Sequence, residues 1–480
     1  MGRRALRWLL CGLLATAGAS APVQAQTGPL PTLTGPVMGG RRGQPFGGFG
    51  QSGGPAGYTE QEWFLSGTAT SYAKANEWRA DGLWEIAPAE RDDYAVRMLV
   101  RRPDSGAFNG IVVVEWLNVT ARSEGGADYS QMADELVRRG YAWVGVGAQA
   151  VGVHAEGTGL KAWDPDRYEP LHHPGDRFSY DIFSQAARAI RGSQGVGGPM
   201  GGLRVEHVLA TGRSQSAFRL VTYVNAFHSH DRAFDGYFIH SRGGQAAGLR
   251  AEAMEGDQPD AVPAGARIRT DLGVPVLDLV TEGDMVTLGA HTTRQPASAT
   301  YRRWELAGAA HAEVPRWVAE SPPDLDRGPG CARPVNSAPH EAVVKAGLRA
   351  LTEWVTAGVV PPQSPEILLD DPSSAASIRR DEHGNALGGI RLPELEAPTA
   401  TLNGLQNSVA AGGAGGTNFC FLFGNTQPFD RATLAELYPS HQSFVDRFVA
   451  AVDRLERDGY LLTPEAVAAR RAAQDSGIGR

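Results

Sequence analysis

Three residue types in this 480-residue chain stand in the order needed to attack a carbonyl group: a serine at Ser214, an acid at Asp284 or Glu282, and a histidine at His311. Acyl transfer to serine needs a base for the hydroxyl proton, an acid to orient and balance that base, and donors for the developing oxyanion. Ser214 is the centre of Gly212-Arg213-Ser214-Gln215-Ser216. The apolar run Val205 to Ala210 before it reads as a strand, and Ala217 to Val224 after it reads as a helix. A serine on so tight a strand-to-helix turn has its hydroxyl lifted clear of the sheet, provided its neighbours are small. Ser216 occupies the place of the second glycine in the usual G-x-S-x-G and is still small. It is also a competing nucleophile, but the apex of the turn favours Ser214.

The acid and the base follow the next two apolar runs. Val274 to Val280 leads into Thr281-Glu282-Gly283-Asp284, and Tyr301 to Leu306 leads into Gly308-Ala309-Ala310-His311. Asp284, a few residues past its strand, is the favoured acid, with Glu282 at the strand tip as the alternative. Asp278 lies mid-strand and is set aside. One oxyanion donor is expected from the N–H of Gln215, the residue after the nucleophile. The second is expected from the loop after an earlier strand, near Asn118 and Val119. Glu115, inside that strand, needs a partner if buried, and Arg213 is the expected one. His240 and Arg242, at another strand tip, read equally as pocket lining or as structural residues.

These residues need a scaffold that ends strands side by side. Gly110 to Leu117, Tyr141 to Val146, Gly236 to His240 and the runs already named read as buried strands. Helices are expected at Tyr129 to Arg139, Ser179 to Arg191 and Pro339 to Ala357. Strands alternating with helices give an α/β fold, a mostly parallel doubly wound sheet with helices on both faces. Phe64 to Tyr72 and Tyr94 to Arg101 read as early antiparallel strands. The loop Gln149 to Arg177, with Trp163 and Tyr168, is expected to shape a substrate pocket. Residues 26–57 are rich in Gly and Pro and read as a flexible tether. The folded domain is expected over 58–480, with an elaboration around 361–425 and a helical tail from Arg431 to Arg471.

Residues 1–25 read as a signal peptide: Arg3, Arg4 and Arg7, then a short apolar stretch, then Val23-Gln24-Ala25 before a cut. Export to a periplasmic or secreted location follows, with no stable membrane insertion once the signal is removed. It leaves Cys331 and Cys420 as a candidate disulfide. The formal net charge of -8 provides no basic stripe for nucleic acid. His172-His173 and His228-Ser229-His230 lack a third metal ligand at a usual spacing and read as surface loop histidines. No cofactor is expected.

With these blocks in view, the chain resembles the large secreted "alpha/beta hydrolase domain" family of esterase-like proteins within the α/β-hydrolase superfamily. The resemblance rests on Glu115-Trp116-Leu117-Asn118, on Ser179-Tyr180-Asp181-Ile182-Phe183-Ser184-Gln185-Ala186, and on the Ser214 pentapeptide. Thr281-Glu282-Gly283-Asp284, Ala310-His311-Ala312-Glu313 and Phe419-Cys420-Phe421-Leu422-Phe423-Gly424 complete it. It runs over nearly everything from Tyr58 onward. Ala217 departs from it, standing where similar sequences often carry glycine. The resemblance implies an α/β-hydrolase fold and a Ser-acid-His hydrolase, without naming a substrate. The expected partner is a small-molecule or polymer-derived ester. An amidase or lactonase would use the same residues, and an inactive hydrolase-like binding protein is the non-enzymatic alternative.

Overall fold

The computed structural model describes residues 30–50, 53–104, 106–193, 195–250, 262–312, 330–371, 378–405, 407–410 and 419–480. The expected signal peptide lies outside them. Nine strands make one sheet: β1 (Thr32–Thr34), β2 (Tyr58–Lys74), β3 (Ile86–Pro103), β4 (Ile111–Trp116), β5 (Ala142–Val146), β6 (His207–Arg213), β7 (Gly236–His240), β8 (Val276–Thr281) and β9 (Tyr301–Leu306). Their order is β1-β2-β3-β5-β4-β6-β7-β8-β9. The pairs from β5 through β9 are parallel, and β1 to β3 pair antiparallel at the other edge. Both strands of the early hairpin outrun their apolar stretches. The end of β3 over residues 87–93 is exposed and polar, and backbone pairing with β2 extends it where side-chain pattern gives no signal.

The parallel strands are buried on both faces, and their side chains alternate between two cores. Val112, Val114 and Trp116 of β4 enter one core, with Phe183 and Ile190 of the helix α2 (Ser179–Gly192). Ile111 and Val113 enter the other, with Leu136 of α1 (Ala127–Arg139) and Val344 and Leu351 of a later helix, His340–Ala357. The chain leaves β4 for β5 on one side and returns to β6 on the other. The strand order thus reverses between β4 and β6, and open α/β sheets bind ligands beyond the carboxyl ends of the strands at such a point.

The segment expected as a tether is docked instead. A buried ion network captures it: Arg97 reaches Glu124 Oε2 at 2.6 Å and Glu62 Oε1 at 2.9 Å, and Arg167 reaches Glu62 Oε2 at 2.5 Å. Arg97 also donates to the carbonyl of Phe46 and Arg167 to those of Gly39 and Val37, and Asp164 accepts the N–H groups of Arg41 and Arg42. Side-chain forks hold backbone there, a contact with no hydrophobic period to reveal it. Trp163 and Tyr168 take part in the same docking. Trp163 packs edge-on against Phe46, and the Tyr168 hydroxyl accepts the Phe46 N–H and donates to Glu62.

Cys331 and Cys420 are joined in a disulfide across 89 residues. The region around 361–425 pairs Ile390 with Leu306, beside the last strand, and forms its own hairpin from Ala400–Asn403 and Asn425–Pro428. The tail forms three helices, Arg431–Leu437, His441–Arg457 and Thr463–Asp475. No helix among the described residues is long and apolar enough to cross a membrane. Closing a loop of this length stabilises the fold by roughly 4–5 kcal/mol on the chain-entropy account. Replacing both cysteines by serine should therefore lower the thermal midpoint clearly in scanning calorimetry; an unchanged midpoint would deny the bridge any stabilising part.

Two histidines expected at the surface are buried. His228 sits against the Tyr237 hydroxyl at 2.8 Å. His173 Nε2 donates to the Ala148 carbonyl at 3.0 Å, and its Nδ1 accepts the Gly175 N–H at 3.2 Å. That pattern admits only the neutral ring, since a proton on Nδ1 would oppose the Gly175 donor. Burial pushes the His173 pKa down to about 4 from an ordinary 6.5. Between those values the unfolded chain binds the proton and the folded one does not, so stability is full above pH 6.5 and falls as the pH drops through 4. The loss is about 3 kcal/mol at most. Chemical denaturation at pH 7 and pH 4 should show His173→Asn losing less stability than the wild type over this window; equal losses would remove His173 as the source.

Candidate active site

Ser214 sits between β6 and the helix α3 (Gln215–Thr222) with φ 60° and ψ −121°. Such a backbone costs a non-glycine residue about 1–3 kcal/mol and persists only where its surroundings fix it. They do so here. The Ser214 N–H donates to the His240 carbonyl at 3.0 Å, and Asn118 Nδ2 donates to the Arg213 carbonyl at 3.0 Å. Gly212 has no room for a side chain: a Cβ there would lie 3.0 Å from the Ser216 Cβ and 3.1 Å from Leu220 Cδ1. Ser216 itself is fully buried, and its hydroxyl has no hydrogen-bond partner among the described residues. Its Cβ fills the space that a second glycine would leave.

The fold brings Ser214, His311 and Asp284 into one hydrogen-bonded line. Ser214 Oγ is 2.8 Å from His311 Nε2, and His311 Nδ1 is 2.5 Å from Asp284 Oδ1. The arrangement suits an imidazole protonated on Nδ1, leaving Nε2 free to accept the serine proton. Asp284 is fixed by its helix, Glu282–Thr287, through a capping box: Oδ2 accepts the Thr281 N–H at 2.7 Å, and its own N–H donates to Thr281 Oγ1. Burial, the largest influence, pushes the Asp284 carboxyl up. His311 and the Thr281 donors outweigh it together and hold the group below the ordinary carboxylate range.

Glu282 is placed elsewhere. Its carboxylate accepts the Gly308 N–H at 2.8 Å, the Gly404 N–H at 3.3 Å and Arg380 Nη2 at 2.7 Å. It ties the acid turn, the histidine loop and the C-terminal region together, and it does not face the imidazole. Gly283 makes that junction possible, since a Cβ there would lie 2.7 Å from the His311 nitrogen and 2.8 Å from the Gly404 carbonyl. The loop carrying His311 is held from two further sides. Arg213 Nη2 donates to the His311 carbonyl at 2.6 Å, and the Ala312 N–H donates to the Leu422 carbonyl at 2.9 Å.

The oxyanion donors expected near Asn118 need one correction. The Asn118 N–H donates to the Gly125 carbonyl at 2.9 Å, so it is already engaged. The N–H groups of Gln215 and Val119 have no acceptor among the described residues. A network unseen in the sequence steadies Gln215. Its Nε2 donates to Gln149 Oε1 at 2.8 Å, which also accepts the Trp116 indole; Gln149 in turn donates to Asp176, and Arg219 donates to the same carboxylate. Gln149 caps the short helix Ala150–His154 and Asp176 opens the single turn Asp176–Phe178, elements too short for a period to mark them out.

Glu115 is not paired with Arg213. Its two oxygens accept the N–H groups of Asp128 and Tyr129, at the start of α1, and the Trp143 indole at 2.9 Å. A carboxylate at a helix N-terminus is favoured by the orphan donors and the dipole there. His240 and Arg242 are fully buried. Arg242 donates to the Ala266 carbonyl. His240 Nδ1 lies 2.6 Å from Asp128 Oδ1, and its Nε2 lies 2.8 Å from His340 Nε2. Thr211, three residues before Ser214, donates to the other oxygen of Asp128. This second Asp-His chain latches α1, β6, β7 and the helix beginning at His340 beneath the serine turn. Burial pushes the carboxyls of Glu115 and Asp128 up, and their proximity adds to the rise at Glu115. Among the described residues, no group of three or more His, Cys, Asp or Glu side chains is arranged to hold a metal ion.

The packing around the turn separates its two serines. Ser216→Ala removes a hydroxyl without a partner and should leave stability unchanged or raised by about 1 kcal/mol, with turnover retained. Gly212→Ala forces α3 away from β6 and should cost about 1–3 kcal/mol together with activity. Thermal melts and ester turnover on both variants check this; loss of turnover in Ser216→Ala with a normal melt would make Ser216 the reactive group.

The sequence profile described as "Alpha/beta hydrolase domain" matches residues 33–471. A comparison with curated proteins finds no match. Among solved structures, the chain is similar to a Klebsiella pneumoniae protein named after dienelactone hydrolase, at 15% identity and a TM-score of 0.32, covering 61% of this chain and 99% of that one. It is similar to a serine hydrolase without a lid from Xanthomonas campestris, at 10% identity and a TM-score of 0.27, covering 51% and 86%. A glucuronoyl esterase from Teredinibacter turnerae is similar at 14% identity and a TM-score of 0.25, covering 52% and 75%. With its mostly parallel sheet, its serine turn after β6 and a profile match over most of its length, the chain belongs to the alpha/beta hydrolase domain family.

Proposed function

We propose that the protein is an exported serine hydrolase that cleaves a carboxylic ester through an acyl-enzyme intermediate. The observation that carries this reading is the hydrogen-bonded line from Ser214 Oγ through His311 to Asp284, at 2.8 and 2.5 Å. Ser214 Oγ attacks the ester carbonyl while its proton passes to His311 Nε2. The tetrahedral oxyanion is received by the N–H groups of Gln215 and Val119. Collapse breaks the bond to the alkoxide, which takes the proton from His311 and leaves as an alcohol. Water then repeats the sequence on the acyl-serine, giving the acid and restoring Ser214. Asp284 stays ionised throughout, holds the imidazole in the Nδ1–H tautomer and balances its charge in each transition state. The same residues cleave lactones and amides, so the ester assignment rests on substrate trials rather than on the residues.

Export is supported by the basic and apolar N-terminal sequence and by the disulfide Cys331–Cys420, a bond that persists in oxidising compartments. No cofactor enters the proposed reaction.

A panel of p-nitrophenyl esters of increasing acyl length tests the reading. Ser214→Ala should lose at least about a thousandfold in kcat, and Asp284→Asn about ten-thousandfold through the wrong imidazole tautomer, both with little change in KM. Wild-type turnover that survives in Ser214→Ala, or a folded wild type inert toward every ester, lactone and amide offered, would leave a binding protein in place of the enzyme.

A further inference from the structure

Beside the histidine loop lies a cavity of about 570 Å³, a size typical of small-molecule sites. Its wall includes Arg333, Phe421, Asn403, Ser408, Val286 and Thr287. The last two sit on the helix that carries Asp284. Phe421 belongs to the turn Cys420–Leu422, whose Leu422 carbonyl accepts the N–H next to His311. The cavity and the proposed triad therefore share backbone supports.

The rim is built in advance of any ligand. The disulfide fixes Cys420 to Cys331. Asn407 grips the Arg333 backbone from both sides, accepting its N–H at 3.2 Å and donating to its carbonyl at 3.0 Å, and the Ala332 N–H donates to the Ser408 carbonyl at 2.7 Å. On this fixed rim stand functional groups the fold itself does not use. The Arg333 side chain is exposed and its guanidinium has no hydrogen bond or ion pair among the described residues. Phe421 is 45% exposed, one of the few large apolar side chains so placed. Asn403, also in the wall, accepts the Leu405 N–H through Oδ1 at 2.8 Å.

A guanidinium matches a carboxylate in a planar, two-bond fork. An aromatic face suits the C–H side of a ring, and amide and hydroxyl groups suit ring hydroxyls. A plain acyl chain would leave the polar groups unmatched, and a neutral sugar would leave Arg333 unmatched. We propose that this cavity is a subsite for a sugar acid, a hydroxylated ring bearing a carboxylate, forming the part of an ester substrate remote from Ser214. The substrate role rests on the serine-hydrolase reading; the binding itself does not.

The test uses full-length Ser214→Ala, so that binding is read without turnover. D-Galacturonate, D-galactose and acetate are titrated and followed by ligand-observed NMR. Galacturonate should saturate, with galactose and acetate each about tenfold weaker. Arg333→Gln in the same background should lose about tenfold or more for galacturonate, the effect of one charge-assisted contact, and Phe421→Ala should weaken galacturonate and galactose alike. Melting curves establish that the variants are folded. Absence of saturation on folded protein, or equal galacturonate affinity in all variants, overturns the subsite. Inert ester panels alongside saturable binding would instead overturn the hydrolase reading alone.

Discussion

The left-handed backbone of Ser214 is the constraint on which the site depends. At φ 60° and ψ −121° the residue is unfavourable on its own, so several elements have to hold it. The His240 carbonyl of β7 accepts its N–H, Asn118 in the loop after β4 donates to the Arg213 carbonyl, and Gly212 and Ser216 let α3 approach β6. The Asp128-His240-His340 chain joins two helix starts to the end of β7, and Thr211 joins Asp128 to β6. A turn held this way presents its hydroxyl without reorganisation, which is the condition for efficient attack.

The partner of that hydroxyl is positioned by different means. His311 rides on a loop rather than a strand, and loops move unless tied. Arg213 ties it to the serine turn, Glu282 ties its base to Arg380 and Gly404, and Leu422 ties its far side to the disulfide-linked segment. The C-terminal region is thus part of the loop's support, alongside Arg213, Asp284 and the Gly308 bonds to Glu282 and Asn336. The disulfide serves stability and this positioning together.

Much of this was legible in the sequence where a local pattern has a local cause. The serine turn needs small neighbours, buried parallel strands need apolar runs, and the order of serine, acid and histidine follows the strand ends. The position of Asp284 past its strand favoured it over Glu282 without settling the choice. Both sit on one turn, and their directions are set by the Thr281 capping box on Asp284 and by the Gly308, Gly404 and Arg380 donors on Glu282. Glu115 misled, and His240 stayed open between two readings, for a similar reason: their partners, the start of α1 and Asp128, become neighbours only after the sheet forms. Residues 30–50 look like a tether because guanidinium-to-carbonyl bonds leave no trace in hydrophobic periodicity. The pairing of Cys331 with Cys420 was within reach, being the two cysteines outside the N-terminal segment.

The central claim is that one activated serine oxygen lies at the tip of β6. Intact-mass and peptide mass spectrometry after treatment with a serine-directed fluorophosphonate tests it most directly. The account predicts a single adduct on Ser214, absent from Ser214→Ala and strongly slowed in His311→Gln. A folded wild-type protein that takes up no phosphonate, or one modified at the same rate without His311, would contradict it.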